Sequence, residues 1–92
     1  MTIDQNRDEI LRIAAQHGAR NIRVFGSVAR GEDRANSDVD LLVEMEDERS
    51  LLDLVALEQD LEELLKRGVD VLTDASIHPF LRPRIVAEAR AL

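Results

Sequence analysis

The chain has 92 residues, no cysteine and a formal net charge of −7, and its only aromatic residues are two phenylalanines. We expect a single domain, residues 1–92, with a modest aliphatic core and neither a disulfide framework, a thiolate zinc site nor a cysteine nucleophile. The acidity argues against direct binding to a nucleic-acid backbone. No apolar run is long enough to span a membrane and the N-terminus lacks a signal-peptide pattern, so we expect a cytoplasmic protein with no membrane partner.

The first predicted element is a packing helix that starts at Thr2 or Asp4 and ends at His17. Its apolar residues recur at helical spacing, and Gly18 is suitable for stopping it. His17 falls in the last helical turn, where we expect a structural role. The β-rich run Asn21–Phe25 follows and predicts the first strand.

The first strand leads into a turn that carries the residue types a phosphate group needs. Gly26 permits a tight turn or a close backbone approach, and Ser27 is a good N-cap for a short helix beginning at Val28. Backbone N–H groups at such a turn form an anion site together with the Ser27 hydroxyl. Arg30 adds a guanidinium that suits phosphate oxygens.

A polar surface loop, Glu32–Ser37, leads to the apolar run Val39–Val43, which predicts a buried strand. Because side chains alternate along a strand, Asp38 and Asp40 point to the same face. Two carboxylates about 5 Å apart repel by roughly 3 kcal/mol at an effective dielectric of about 20. The pair must therefore take up a proton, be separated by water, or bind a cation, either a nearby arginine or, better, Mg²⁺.

The second half of the chain predicts a long helix, a short strand and a final helix. The long helix covers Leu51–Lys66, and Gly68 is the expected residue just beyond its C-terminal end. The wide leucine-rich stripe of this helix either belongs to the core or leaves apolar surface for a partner. In the strand Val69–Leu72, Asp70 faces away from the two valines. The last helix is expected over Pro83–Ala91. The resulting order, α-β-α-β-α-β-α, predicts a small mixed sheet flanked by helices.

Gly26-Ser27, ten intervening residues and then Asp38-Val39-Asp40 resemble the G-S-x10-D-x-D signature of the DNA polymerase β nucleotidyltransferase superfamily. In length and surroundings, the chain resembles the minimal nucleotidyltransferase (MNT) proteins that act as antitoxins to HEPN toxins. The resemblance implies the nucleotidyltransferase fold, an α/β (α+β) architecture. It also implies that a third carboxylate from a neighbouring strand, Asp70, joins the Asp-x-Asp pair.

The resemblance implies that AMP is transferred from ATP to a tyrosine hydroxyl of a partner HEPN RNase toxin, which silences the toxin. The implied cofactor is Mg²⁺, and the implied assembly is a hetero-oligomer with the toxin. The sequence contains no tyrosine, which is consistent with transfer to another molecule. The implied site has three catalytic, metal-binding carboxylates and three phosphate-binding residues: Asp38, Asp40 and Asp70, and Gly26, Ser27 and Arg30.

Two other functions stay open at this point. One is a non-catalytic antitoxin that neutralises its partner by binding alone. The other is nucleotidyl transfer to RNA or to a small molecule such as an aminoglycoside. Relatives of the latter kind usually carry a second domain for the acceptor, for which 92 residues leave no room, and the acidity weakens the RNA alternative further.

Overall fold

The computed structural model describes residues 3–32 and 38–92, so Thr2 and most of the predicted loop Glu32–Ser37 lie outside the described residues. The described chain contains four α-helices and four strands. They are α1, Arg7–Gln16; β1, Ala19–Phe25; α2, Gly26–Ala29; β2, Val39–Met45; α3, Leu51–Leu65; β3, Val69–Thr73; α4, Arg82–Glu88; and β4, Arg90–Ala91. Short 3₁₀ turns at Asp4–Asn6 and Asp74–Ser76 precede α1 and follow β3. Within this part of the chain, each helix is too short or too polar to traverse a lipid bilayer.

The four strands form one mixed sheet in the order β3-β2-β1-β4. β1 pairs antiparallel with both β2 and β4, whereas β2 and β3 are parallel. Parallel neighbours need a crossover connection, and α3 supplies it. The mixed sheet with its flanking helices confirms the predicted fold class, and all the predicted elements occur in the predicted order.

The side chains of β2 divide between the two faces of the sheet. Val39 and Leu41 are fully buried in the main core, which α1 and α3 cover. Leu42 points to the opposite face and packs with Phe25 in a smaller cluster beneath α4. Burial of each such side chain contributes roughly 1.5–3 kcal/mol. Because Asp40 shares the face of Leu42, the predicted site lies on the α4 side of the sheet.

The final helix is shorter than predicted. α4 ends at Glu88 and the backbone then becomes extended, so the prediction of a helix reaching Ala91 was wrong. Arg90 and Ala91 form β4 against β1, and the Leu92 N–H donates to the Ile22 carbonyl at 3.0 Å. Without β4, β1 would present an edge of unpaired backbone groups, and pairing this edge outweighs the local helix propensity.

Two other helix ends also differ from the prediction. The left-handed backbone of Gly26 turns the chain directly after β1, so α2 begins there and Ser27 lies in its first turn instead of capping it. At the end of α3, the left-handed residue is Lys66, with φ of 58°, and not Gly68. At Gly68, a Cβ would collide with the Asp38 carboxylate, which would have to move to make room.

Candidate active site

Parallel pairing of β2 and β3 brings the Asp-x-Asp pair and Asp70 together. Asp40 and Asp70 are register partners in this ladder, and neighbouring strands lie roughly 4.8 Å apart. Asp38 immediately precedes β2, so alternation places it on the same face as Asp40. The Val39 N–H donates to the Gly68 carbonyl at 2.9 Å and extends the ladder to this point. The three carboxylates therefore lie on one face of the sheet, at the N-terminal ends of the two strands.

Asp40 is the half-buried member of this acidic cluster, whereas Asp38 and Asp70 are exposed. Burial is the main cause of a raised pKa at Asp40, and the charges of Asp70 and Asp38 raise it further. The Arg30 guanidinium opposes this rise in pKa. Burial and the neighbouring carboxylates both disfavour the ionised form of Asp40, which a bound cation would stabilise.

α3 adds a fourth carboxylate that the sequence-based site did not include. Glu58 is half-buried, and its pKa is raised first by burial and second by the charge of Asp70. A hydrogen bond from the backbone of Val71 partly offsets this rise. The available signal was its position, because Glu58 interrupts a helix face that also carries the fully buried Leu57 and Leu61.

The acidic cluster suits a magnesium ion whose coordination shell is completed by the substrate. It does not suit an ion held by protein side chains alone. Within residues 3–32 and 38–92, no three His, Cys, Asp or Glu side chains converge closely enough to hold a metal ion by themselves. Mg²⁺ is usually held by one or two carboxylates, with phosphate oxygens and water completing its shell. Asp38 and Asp40 supply this donor set, and such an ion would offset both the burial of Asp40 and the charges of Asp70 and Asp38 that raise its pKa.

Gly26 brings the turn between β1 and α2 against the acidic cluster. Phe25, the last residue of β1, is the register partner of Asp40. Gly26 has φ of 74°, and a Cβ at this position would collide with the Asp40 carboxylate. Both the backbone angle and the close approach therefore require glycine. The two halves of the motif meet in space, with Ser27 half-buried in the first turn of α2.

Arg30 and the Gly26 backbone share a partner that the sequence analysis did not identify. The Glu88 carboxylate of α4 accepts a hydrogen bond from Arg30 Nη1 at 2.6 Å and one from the Gly26 N–H at 3.3 Å. Arg30 Nε also lies 3.4 Å from a Glu32 carboxylate oxygen. The available signal was that Glu88 is the single acidic residue between Ala75 and the C-terminus.

A family model described as a nucleotidyltransferase domain matches residues 7–92. The chain belongs to this family. A relative from Methanocaldococcus jannaschii, provisionally named a protein adenylyltransferase, is 48% identical and the match covers 97% of this chain and 96% of the relative. The protein adenylyltransferase MntA of Thermococcus cleftensis is 42% identical, with 77% of this chain and 72% of the relative covered. The prediction of a nucleotidyltransferase enzyme is confirmed.

Solved structures extend the similarity to the fold. A protein described provisionally as a minimal nucleotidyltransferase matches with a TM-score of 0.87 and 44% identity, covering 100% of this chain and 97% of that one. A toxin–antitoxin complex with AMP-PNP contains a chain that matches with a TM-score of 0.80 and 25% identity, covering 94% of this chain and 71% of that one. The resemblance to MNT proteins, which rested on the motif, the chain length and the surrounding sequence, is confirmed at the level of the family.

Proposed function

We propose that this chain is an antitoxin that transfers AMP from ATP to a tyrosine hydroxyl of a partner HEPN RNase toxin. The observation that carries the proposal is the convergence of the two motif halves, with Gly26 packed directly against Asp40 and Asp70 paired beside it. The relatives named as protein adenylyltransferases support transfer of AMP to a protein. The toxin–antitoxin complex with AMP-PNP supports an adenine nucleotide and a toxin partner.

In the proposed reaction, Gly26, Ser27 and Arg30 bind the β- and γ-phosphates through a backbone N–H, a hydroxyl and a guanidinium. Asp38 and Asp40 would hold Mg²⁺, which when bound neutralises the carboxylates and polarises the phosphates. Asp70 accepts the proton of the attacking hydroxyl and, as the third carboxylate of the site, would also be a ligand of the metal ion. The hydroxyl oxygen forms a bond to the α-phosphorus, and the bond to pyrophosphate breaks.

Charge and exposed apolar surface support a protein acceptor. A net charge of −7 favours a basic partner, and the acceptor tyrosine has to come from another molecule because this chain has none. Leu51 and Leu52 at the start of α3 are 73% and 79% exposed. Their exposure favours the alternative in which the leucine-rich stripe leaves apolar surface for a partner.

The test is the intact mass of a HEPN partner after incubation with this chain, ATP and Mg²⁺. We expect the mass of one or more AMP groups to be added to the partner. Asp40→Asn should reduce transfer at least about 100-fold. The variant lacks a carboxylate that would hold Mg²⁺, so the negative charge on the departing pyrophosphate is no longer stabilised. Asp47→Asn, which changes the same charge in the exposed turn after β2, should leave transfer intact.

A second candidate is an antitoxin that acts by binding alone, and the Glu88 contact favours it. In the described structure, two of the three proposed phosphate-binding residues already bind this carboxylate. An inhibited toxin whose mass does not change, with neutralisation retained by Asp38→Asn and Asp40→Asn, would contradict the transferase proposal and support the binding module.

A further inference from the structure

Glu88 lies where a phosphate of the proposed substrate would bind. Its two carboxylate oxygens accept hydrogen bonds from Arg30 and from the Gly26 N–H, and a phosphate presents the same kind of anionic oxygens to these donors. We propose that Glu88 is an internal competitor for the triphosphate, which holds the two donors until a nucleotide displaces it. This inference rests on the proposed function, which supplies the phosphate-binding roles of Gly26 and Arg30.

The contact is sheltered enough to compete with a ligand. The side chain of Glu88 is 19% exposed and that of Arg30 is 38% exposed, so water screens the pair only in part. The hydrogen bond from Arg30 is the main cause of a lowered pKa at Glu88, and the Gly26 N–H lowers it further. Glu88 is therefore ionised at neutral pH, the form that resembles a phosphate.

Release of Glu88 does not require α4 to unfold. The two hydrogen bonds use only the carboxylate, and rotation of the side chain frees both donors. Half-buried Ile85 meanwhile keeps α4 packed against the Phe25 cluster, and β4 holds the following residues on the edge of the sheet. Exchange between Glu88 and a phosphate is thus a local, side-chain event.

A purely supportive role for Glu88 predicts a different pattern of contacts. A residue that only oriented Arg30 toward the nucleotide would leave the backbone N–H of Gly26 open for a phosphate. Glu88 instead accepts from both groups, one oxygen for each. Occupation of both donors by one carboxylate favours competition over support.

The experiment measures binding of ATP with Mg²⁺, and separately of inorganic tripolyphosphate, to the isolated chain by calorimetry. Glu88→Gln keeps the shape of the side chain and removes its charge, so the affinity for both probes should rise roughly three- to tenfold. Glu63→Gln is the matched control, because it makes the same charge change at an exposed position on α3 and should leave both affinities unchanged.

A second measurement on the unmodified chain keeps the proposal testable if Glu88→Gln folds poorly. Tripolyphosphate should shift the NMR signals of the Gly26 amide and of the Glu88 side-chain carboxyl carbon together, because one ligand displaces the other. Unchanged or weaker binding by folded Glu88→Gln would overturn the proposal, and so would a Glu88 signal that stays fixed at saturation. Absence of tripolyphosphate binding to either protein would also overturn it.

The outcome is independent of whether AMP reaches the toxin. Tighter binding by Glu88→Gln without any mass change on the partner would support the competition and contradict the transferase. Transfer to the partner with equal affinities for the unmodified chain and Glu88→Gln would do the reverse.

Discussion

At Gly26, backbone conformation and site chemistry depend on the same missing side chain. The sequence predicts a tight turn or a close backbone approach at this glycine, and the structure has both: a φ of 74° and a close approach to the Asp40 carboxylate. Glu58 and Glu88 could not be recognised as site residues from the sequence, for a common reason. Both act through neighbours that are distant in sequence, and a lone carboxylate on a predicted helix is ordinarily a solvated residue.

A matched pair of glycine substitutions separates the two requirements at Gly26. Gly31 has nearly the same backbone angle, with φ of 77°, but no atom of residues 3–32 and 38–92 lies within 4 Å of a Cβ placed there. Gly31→Ala should cost only the left-handed backbone, about 1–2 kcal/mol. Gly26→Ala should cost more and also displace Asp40, which would weaken Mg²⁺-dependent ATP binding.

Urea unfolding followed by circular dichroism measures the two stabilities, and calorimetry measures the binding. Equal losses of stability in the two variants would show that the close contact between Gly26 and Asp40 carries no energetic weight.

At the scale of elements, α4 and β4 act as a C-terminal clasp, residues 82–92, that closes the α4 face of the sheet. β4 pairs with β1, and the Leu92 carbonyl accepts a hydrogen bond from Arg7 Nε at 2.7 Å. The sequence predicted the helix but not the strand, because a two-residue edge strand has no hydrophobic periodicity of its own. The clasp also sets the position of Glu88, the last residue of α4.

A variant that ends at Ala89 is expected to lose about 1–3 kcal/mol, because it removes the β4 pairing at roughly 0.5–1.5 kcal/mol for each net hydrogen bond. Urea unfolding gives this difference in the free energy of unfolding. Arg7→Ala, which removes the side-chain contact to Leu92 and an exposed ion pair with Asp8 but leaves the β4 backbone in place, is the control and should cost much less. A truncated chain as stable as the full one would show that β4 does not support the sheet.

At the scale of the whole molecule, the two faces of the sheet do different work. One face is an aliphatic core beneath α1 and α3, and the other carries both a small apolar cluster and the acidic site. Stability and site chemistry therefore oppose each other on the α4 face, where carboxylates are held close together. Ionisation of the half-buried Asp40 therefore lowers the free energy of unfolding of the whole domain.

The pH dependence of stability tests this cost. Folding raises the pKa of Asp40, so the protonated carboxyl group stabilises the folded state. This stabilisation is complete below the ordinary pKa of 3.8 and is lost as pH rises through the raised pKa of the folded state. Asp40→Asn should therefore raise the melting temperature at neutral pH by a few degrees. The gain in the free energy of unfolding should be less than about 1 kcal/mol, because the side chain is partly exposed. The gain should disappear in acid.

Thermal melts by circular dichroism suit a chain without tryptophan or tyrosine. Asp47→Asn should show no such pH-dependent gain, and Mg²⁺ should stabilise the unmodified chain more than Asp40→Asn. A lower melting temperature for Asp40→Asn at neutral pH would contradict the expectation that the ionised Asp40 carboxylate destabilises the fold.

The sequence by itself determined the order of the predicted helices and strands, the family and the facing of Asp38, Asp40 and Asp70, because hydrophobic periodicity and motif spacing are local properties of the chain. Only the tertiary structure decided the parallel register that pairs Asp40 with Asp70, the final strand, and the occupation of Gly26 and Arg30 by Glu88. These features depend on which backbone edges and charged groups meet after the chain has folded. Contacts of that kind form between residues far apart in sequence, and no local pattern encodes them.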